Sequence, residues 1–262
     1  MLDPTFAAVT PTRVRHLADD RPREPEKADN DDRAASKSMD ATLKLLDDAL
    51  QPQRRVVKAG DVIYQAGERF GNLYILNSGF IKIVNLSPDG REQVVGLKFP
   101  GDWLGFDGIA NARYSCDSIA MDTGEVWTVR YGALLAACSK HPALLTVLHE
   151  AMSREIGCDR HSLMAVCTLP ADARVVDCLR YWAESLGKRG LCTDQITLRM
   201  TRAEIGNYLC MTLESLSRSL SKLARENVIS FPEKGRRDIQ IPNVRALSRF
   251  IQQCLAPVPT LR

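Results

Sequence analysis

Glu214, Ser215, Ser217, Arg218, Ser221, Lys222 and Arg225 recur at a spacing that gathers them on one side of a helix. A row of carboxylate, hydroxyl, guanidinium and ammonium groups can hydrogen-bond to base edges and phosphate oxygens together. The opposite side carries Leu213, Leu216, Leu220 and Leu223, the expected buried stripe, and Thr212 stands before them as an N-cap. A shorter helix must come first. There Thr201 is the cap, Glu204 three residues on completes a capping box, and Ile205, Tyr208 and Leu209 share a face. Cys210 and Met211 fill the turn. Two short helices joined tightly, the second with a polar and basic outer side, form a helix-turn-helix that offers its second helix to the major groove.

Most short helix pairs with a polar face are only solvated surface, so further features must decide. The polar row begins at a capped N-terminus with a basic residue one turn on. The following run, VISFPEKGRRDIQI, holds two β-prone segments, Val228–Phe231 and Ile239–Ile241. Pro232, Gly235, Arg236 and Arg237 join them, as in a hairpin wing lying on phosphates.

The run TRAEIGNYLCMTLESLSRSLSKL resembles the DNA-binding segment of the FNR branch of the CRP/FNR family of bacterial transcription regulators. IGNYL followed by T-x-E-x-x-S-R carries that resemblance. It implies that Glu214, Ser217 and Arg218 read bases in a palindrome with TTGAT-like half-sites. The chemistry agrees, since a carboxylate accepts from a cytosine amino group and an arginine forks onto guanine. Thr201, Arg202, Thr212, Ser221, Lys222, Arg236 and Arg237 are expected on phosphates. Cys210 departs from the family, which usually has glycine at this turn, and cysteine tolerates a positive φ poorly.

The chain has 262 residues, 45% of them hydrophobic, enough to bury a sizeable core with room for two domains. No apolar run is long enough for a membrane span and no signal-peptide hydrophobic region is visible, so a cytoplasmic protein without membrane contact is expected. The eight cysteines are scattered without a CxxC pair, which fits reduced thiols rather than a disulfide framework. Residues 170–262 hold fifteen Lys/Arg against nine Asp/Glu, whereas residues 1–40 hold seven against nine. The basic half is the one with the helix-turn-helix.

The expected fold class is α+β: an N-terminal cyclic-nucleotide-binding-like β-roll, a long dimerisation helix and a C-terminal winged helix-turn-helix. Residues 1–38 are polar and poor in aromatics, and read as a disordered tail. Residues 39–131 open with a short helix, Met39–Leu50. They continue as short β-prone runs with glycine punctuation: VVKAGDVIYQAGE, LYILNSGFIKIVN, EQVVGLKFPGDWLGF and EVWTVR, with a hairpin signal at Ser87–Gly90. This texture resembles the family's β-roll, so the resemblance covers about 50–250. Residues 132–169 form the dimerisation helix and a hinge at Thr168–Pro170. Residues 170–254 comprise a helix Ala171–Leu186, a strand Ile196–Met200, the helix-turn-helix, the wing and a helix Val244–Cys254 capped by Asn243. Residues 255–262 are a tail.

From Pro142 to Thr168, the residues Leu145, His149, Met152, Ile156, Asp159, Leu163 and Val166 alternate at separations of four and three. That is an a/d seam over three heptads, as in a parallel two-stranded coiled coil, and a palindromic site needs a two-fold protein. The competing reading is an intramolecular core helix. Asp159 is the exception on the seam, because two aspartates across a dimer axis repel. The resemblance implies that an aspartate here tunes dimerisation.

Sensing is less legible. A roll of this kind either binds a small effector or packs as a scaffold. In the family's cAMP branch a Gly-Glu-Leu run and an Arg-Ser/Thr pair hold the nucleotide. Here GDWLGFDGIANARYSCDS offers Asp102 near the glutamate position, and Arg113 is followed by Tyr114. The namesake of the FNR branch carries a [4Fe–4S] cluster on N-terminal cysteines and one in the roll. Residues 1–115 contain no cysteine, and Trp127 stands near the roll position, so that cluster is not expected. No cofactor is predicted, and none of His16, His141, His149 and His161 is expected to bind a metal. An effector-gated regulator taking haem, a nucleotide or a metabolite is the alternative. No GxSxG, HExxH, P-loop or GxGxxG occurs, and no enzyme is expected. Cys210, at the turn beside the second helix, is a candidate redox thiol, weighed against an inert small hydrophobe. The expected partners are double-stranded DNA, a second copy of the chain and RNA polymerase.

Overall fold

The computed structural model describes residues 41–87, 89–232 and 237–255. The expected tail 1–38, the start of the first helix, the wing residues Gly235 and Arg236, and the end of the C-terminal tail lie outside the described residues.

Helix α1 (residues 41–50) uses Leu43 and Leu46 to cover the first of two four-stranded antiparallel sheets. That sheet has the order β1-β8-β3-β6, built from β1 (Gln53–Val57), β3 (Asn72–Ser78), β6 (Trp103–Leu104) and β8 (Gly124–Arg130). The second sheet, β2-β7-β4-β5, contains β2 (Val62–Tyr64), β4 (Ile81–Leu86), β5 (Glu92–Lys98) and β7 (Asp117–Ala120). Strands β4 and β5 form the hairpin expected at Ser87–Gly90, with the Gly90 N–H donating to the Ser87 carbonyl at 2.8 Å.

The two-residue period of a strand explains how β3 is buried on both sides. Tyr74 and Leu76 point into the roll interior with Val57, Ile81 and Val126. Leu73 and Ile75 point outward, against Trp103, Trp127 and the helices that follow. Those helices are α2 (Tyr131–Lys140) and α3 (Pro142–Thr168). Helix α2 is set off from α3 by Lys140 in its last turn, His141 between the two and Pro142 at the first position of α3.

The outer side of the second sheet packs on the C-terminal part. Val84, Val94, Leu97 and Phe99 join one core with Val175, Leu179 and Trp182 of α4 (Ala171–Gly187), Ile205 of α5 (Arg202–Tyr208) and Leu209 at its C-cap. Phe80 and Phe99 both place ring centroids within 5.8 Å of Trp182. Helix α6 (Leu213–Arg225) follows, and α7 (Val244–Leu255) closes the core with the fully buried Leu247.

Two sequence expectations need correction here. Strand β9 spans Gln195–Thr197; the Leu198 N–H still donates to the Arg237 carbonyl in the same register, and the pairing ends before Met200. The second wing segment, β10 (Asp238–Gln240), pairs in full with β9, whereas the first wing segment contributes only the Ser230–Gln240 bridge. A short two-stranded ribbon gains little alone, and β9 supplies the longer partner.

Candidate nucleic-acid interface

The capping box that opens α5 is complete: Thr201 Oγ1 accepts the Glu204 N–H at 3.2 Å, and Glu204 accepts the Thr201 N–H at 2.7 Å. Gly206 lets the turn come close, since a Cβ there would lie 2.9 Å from the Met211 carbonyl oxygen. Cys210 adopts φ +51°, the left-handed conformation that disfavours a side chain. Arg174 of α4 compensates by donating to the Leu209 and Cys210 carbonyls at 2.9 and 3.2 Å. Thr212 then caps α6 by accepting the Ser215 N–H at 3.1 Å.

Helix α6 buries Leu216, Ser219, Leu220 and Leu223. Leu213, expected in that stripe, is instead 46% exposed, because the core reaches α6 only from Leu216 onward. Glu214 and Arg218 are exposed and Ser217 is half-buried. Among the described residues, no intramolecular hydrogen bond or ion pair engages the side chain of any of these three. An open groove of about 810 Å³ runs between the start of α4 and this side of α6, lined by Ser215, Ser217, Arg218, Ser221, Lys222 and Arg225 among others.

The expected phosphate contacts are less uniform. Ser221 is exposed in the groove wall, Arg237 is exposed and Arg202 is half-buried, whereas the Thr201 and Thr212 hydroxyls are committed to their caps. Lys222 is paired with Asp172 at 2.6 Å. Partial burial acts to raise the Asp172 carboxyl, but hydrogen bonds from Lys222 and Ser219 outweigh it and hold it below the usual carboxylate range.

Sequence reasoning missed how α5 is held. Asn207, within the IGNYL run, bridges the edge strand β5: its Oδ1 accepts the Val94 N–H at 2.6 Å and its Nδ2 donates to the Glu92 carbonyl at 2.9 Å. A side-chain carboxamide thus occupies the place of a neighbouring strand's peptide group and covers the edge. Gln93 returns a hydrogen bond to the Asn207 carbonyl at 2.5 Å, and Lys82 pairs with Glu204. The available signal was a polar amide between the buried Ile205 and Leu209.

Helix α3 carries two apolar stripes offset by one residue. Leu144, Leu148 and Ala151 are buried against the roll and α2. The seam runs beside them: Leu145, Ile156 and Leu163 are 41%, 48% and 65% exposed, His149 and Asp159 are exposed, and Met152 and Val166 are half-buried. Near the hinge, His161 Nε2 lies 2.9 Å from Asp177 of α4, which also accepts from Arg180 at 2.8 Å. The bond to Asp177 holds the His161 imidazole above its ordinary value.

Inside the roll, Tyr114 is buried, stacks on Tyr64 at 4.1 Å and donates to the Asn72 carbonyl at 2.7 Å. Arg113 turns outward to the Gly67 carbonyl, and Asp102 accepts the Phe99 N–H from a position where burial pushes its carboxyl up. Trp127 is buried and donates to Glu125 at 2.6 Å. Cys210 is exposed, with its sulfur 4.0 Å from the Gln93 amide. Among the described residues, no group of three metal-ligating side chains converges, and no helix is long and apolar enough to cross a membrane.

A β-roll, a long helix with a free apolar seam and a helix-turn-helix with an unpaired polar row define the class: a DNA-binding transcription regulator. Residues 54–141 match the cyclic nucleotide-binding domain family, and residues 173–250 match the Crp-like helix-turn-helix domain family. Over 208 residues the chain is 30% identical to the fumarate and nitrate reduction regulatory protein of Yersinia pestis, covering 79% of this chain and 82% of that one. It is 29% identical to electron transport regulator A of Shewanella oneidensis over 192 residues, 73% of this chain and 76% of the relative. The chain belongs to the CRP/FNR family of transcription regulators. Its fold is that of FixK2 from Bradyrhizobium japonicum, with a TM-score of 0.65 at 22% identity over 76% of this chain and 96% of that one. A CooA mutant from Carboxydothermus hydrogenoformans gives a TM-score of 0.60 at 11% identity over 76% and 88%. The relatives from Yersinia pestis and Shewanella oneidensis are regulators by name, not enzymes.

Proposed function

We propose that this regulator acts in the cytoplasm as a homodimer, joined along the α3 seam, that reads a TTGAT-like palindrome with two copies of α6. Glu214, Ser217 and Arg218 specify bases, and Arg202, Ser221, Arg236 and Arg237 hold phosphates, aided by the capped turns at Thr201 and Thr212. The carrying observation is the unpaired row of Glu214, Ser217 and Arg218 on the capped half of α6, opposite its buried stripe. RNA polymerase is the partner through which the bound dimer affects transcription. Asp159 on the seam keeps association weak enough to be adjusted.

The reading dispenses with a [4Fe–4S] cluster, and the residues present do not fit one. The first cysteine of the sequence, Cys116, is buried against Asp107, and burial pushes its thiol up to about 12, away from the thiolate that iron needs. Trp127 fills the roll position with an indole. The exposed Cys210 is the thiol to which we assign any redox response; equal loss of DNA affinity by Cys210→Ser and the parent under peroxide would remove that role.

Fluorescence anisotropy of metal-free, aerobically purified protein tests the proposal on a labelled TTGAT palindrome and a scrambled duplex. Selective binding to the palindrome is expected, and equal binding to both would remove the assignment of base-reading residues. A second reading, an effector-gated regulator taking haem, a nucleotide or a metabolite, draws on a cavity of about 480 Å³. It lies between the roll, α3 and α4, with Tyr64, Gln93, Lys98, Glu155 and Tyr181 among its walls. The Tyr64–Tyr114 stack inside the roll weighs against a cyclic nucleotide as that effector. Binding to neither duplex until a ligand is added would favour this second reading.

A further inference from the structure

Asp172 lies two residues past Pro170, in the first turn of α4, and reaches across to α6. Its Oδ1 accepts from Ser219 Oγ at 2.6 Å and its Oδ2 from Lys222 Nζ at 2.6 Å. Ser219 is the one polar residue in the buried stripe of α6, 4% exposed, so its hydroxyl needs a partner, which among the described residues Asp172 supplies. Lys222 stands on the same wall of the groove as Ser215, Arg218 and Ser221, so the carboxylate sits at the base of the surface offered to DNA. The hinge helix and the recognition helix are therefore joined by a charged bond that also occupies a groove lysine.

This arrangement bears on how affinity divides between bases and backbone. Backbone affinity grows with the number of cations free to neutralise phosphates and carries no sequence information. A lysine already paired with a carboxylate adds almost no net charge, and moving it to a phosphate would strand Asp172 beside the DNA.

We propose that Asp172 is a positioning and specificity-determining residue, tying the recognition helix to the hinge and holding Lys222 off the DNA backbone. The proposal rests on the reading that α6 enters the groove. It changes the role expected for Lys222: the ammonium organises the protein surface, and non-specific attraction is left to the unpaired arginines. Because the Asp172 carboxyl is held below the usual range, the pair stays charged at neutral pH.

The test is anisotropy over a salt series on the TTGAT palindrome and a scrambled duplex, with the parent, Asp172→Asn, Lys222→Met and the double variant. Asp172→Asn keeps an acceptor for Ser219 and frees Lys222. It is expected to steepen the slope of log affinity against log salt by about 0.9 per bound chain. It should also tighten binding to the scrambled duplex, so that the selectivity ratio falls. Lys222→Met alone strands the Asp172 carboxylate beside the DNA and should weaken both duplexes. The double variant, which removes both charges of the pair, should keep the parental slope and lose the steepening. A double variant with a slope flatter than the parent's by about 0.9 per bound chain would overturn the proposal, because Lys222 would already be on phosphate. So would an Asp172→Asn that weakens both duplexes equally at unchanged slope, since the carboxylate would then be only structural. If Asp172→Asn does not fold, Asp172→Ser, alone and with Lys222→Met, takes its place in the same series. Salt-independent behaviour of the parent on both duplexes would instead sink the DNA reading, and the proposal with it.

Discussion

Helices α3 and α6 each bury one stripe and leave another free, but the free stripes have opposite chemistry. On α3 the free side is apolar, with Ile156 and Leu163 about half to two-thirds exposed. On α6 it is polar, with Glu214, Ser217 and Arg218 unpaired beside buried leucines. An exposed apolar seam lowers its free energy by meeting a matching seam, which in the proposed dimer belongs to a second copy of the chain. A row of donors and acceptors already served by water gains instead from a partner with ordered hydrogen-bonding edges. The same helical period thus prepares one helix for self-association and the other for a nucleic acid.

Breaking the apolar side should have the largest effect. Ile156→Glu with Leu163→Glu places four carboxylates across the dimer seam. Losing the second half-site contact should weaken palindrome binding by roughly 10²–10⁴-fold. Sedimentation of the free variant should show monomers that keep their thermal transition, and a dimer of parental affinity would refute the seam. On the polar side, Arg218→Ala should cost roughly 1–3 kcal/mol and relax the choice at one base pair. Uniform weakening on every sequence, measured by competition among single-substituted duplexes, would deny it a base-reading role.

Asp159→Ala sharpens the comparison from within the seam. Removing the facing pair of carboxylates should shift the monomer–dimer equilibrium several-fold toward dimer, as read by concentration-dependent light scattering. An unchanged equilibrium would mean that Asp159 does not set association strength.

The smallest effect concerns the joint between α3 and α4. Because Asp177 raises the folded pKa of His161, the pair stabilises the protein fully below the ordinary histidine value of 6.5 and ceases to do so as pH rises through the raised value. Thermal stability should therefore fall modestly from mildly acidic to mildly basic pH, and His161→Gln should flatten that decline. Parallel pH profiles of the two proteins would remove the linkage.

Legibility in the sequence followed the range of the interactions. Both caps, at Thr201 and Thr212, and the α3 seam are set by residues within a turn or a few turns of one another, and all could be read directly. The exposure of Leu213, by contrast, depends on where a distant core ends. The β10 strand took β9 as its partner across more than forty residues, which turn signals alone do not encode. Asn207 meets β5 at a separation of more than a hundred residues, and Asp172 meets Lys222 at fifty. Such pairings are chosen by packing, and a polar residue facing inward is their only local trace. The candidate DNA row was legible for the same local reason as the caps, while the bond that ties Lys222 down was not.

The central claim is that two chains, joined by α3, present two copies of α6 to one palindrome. Mass photometry of the protein on the TTGAT palindrome, and on the same duplex with one half-site scrambled, tests it most directly. The account predicts two chains on the intact palindrome, and a much weaker complex, still of two chains, on the half-scrambled duplex. One chain per duplex, or equal affinity for both duplexes, would contradict it.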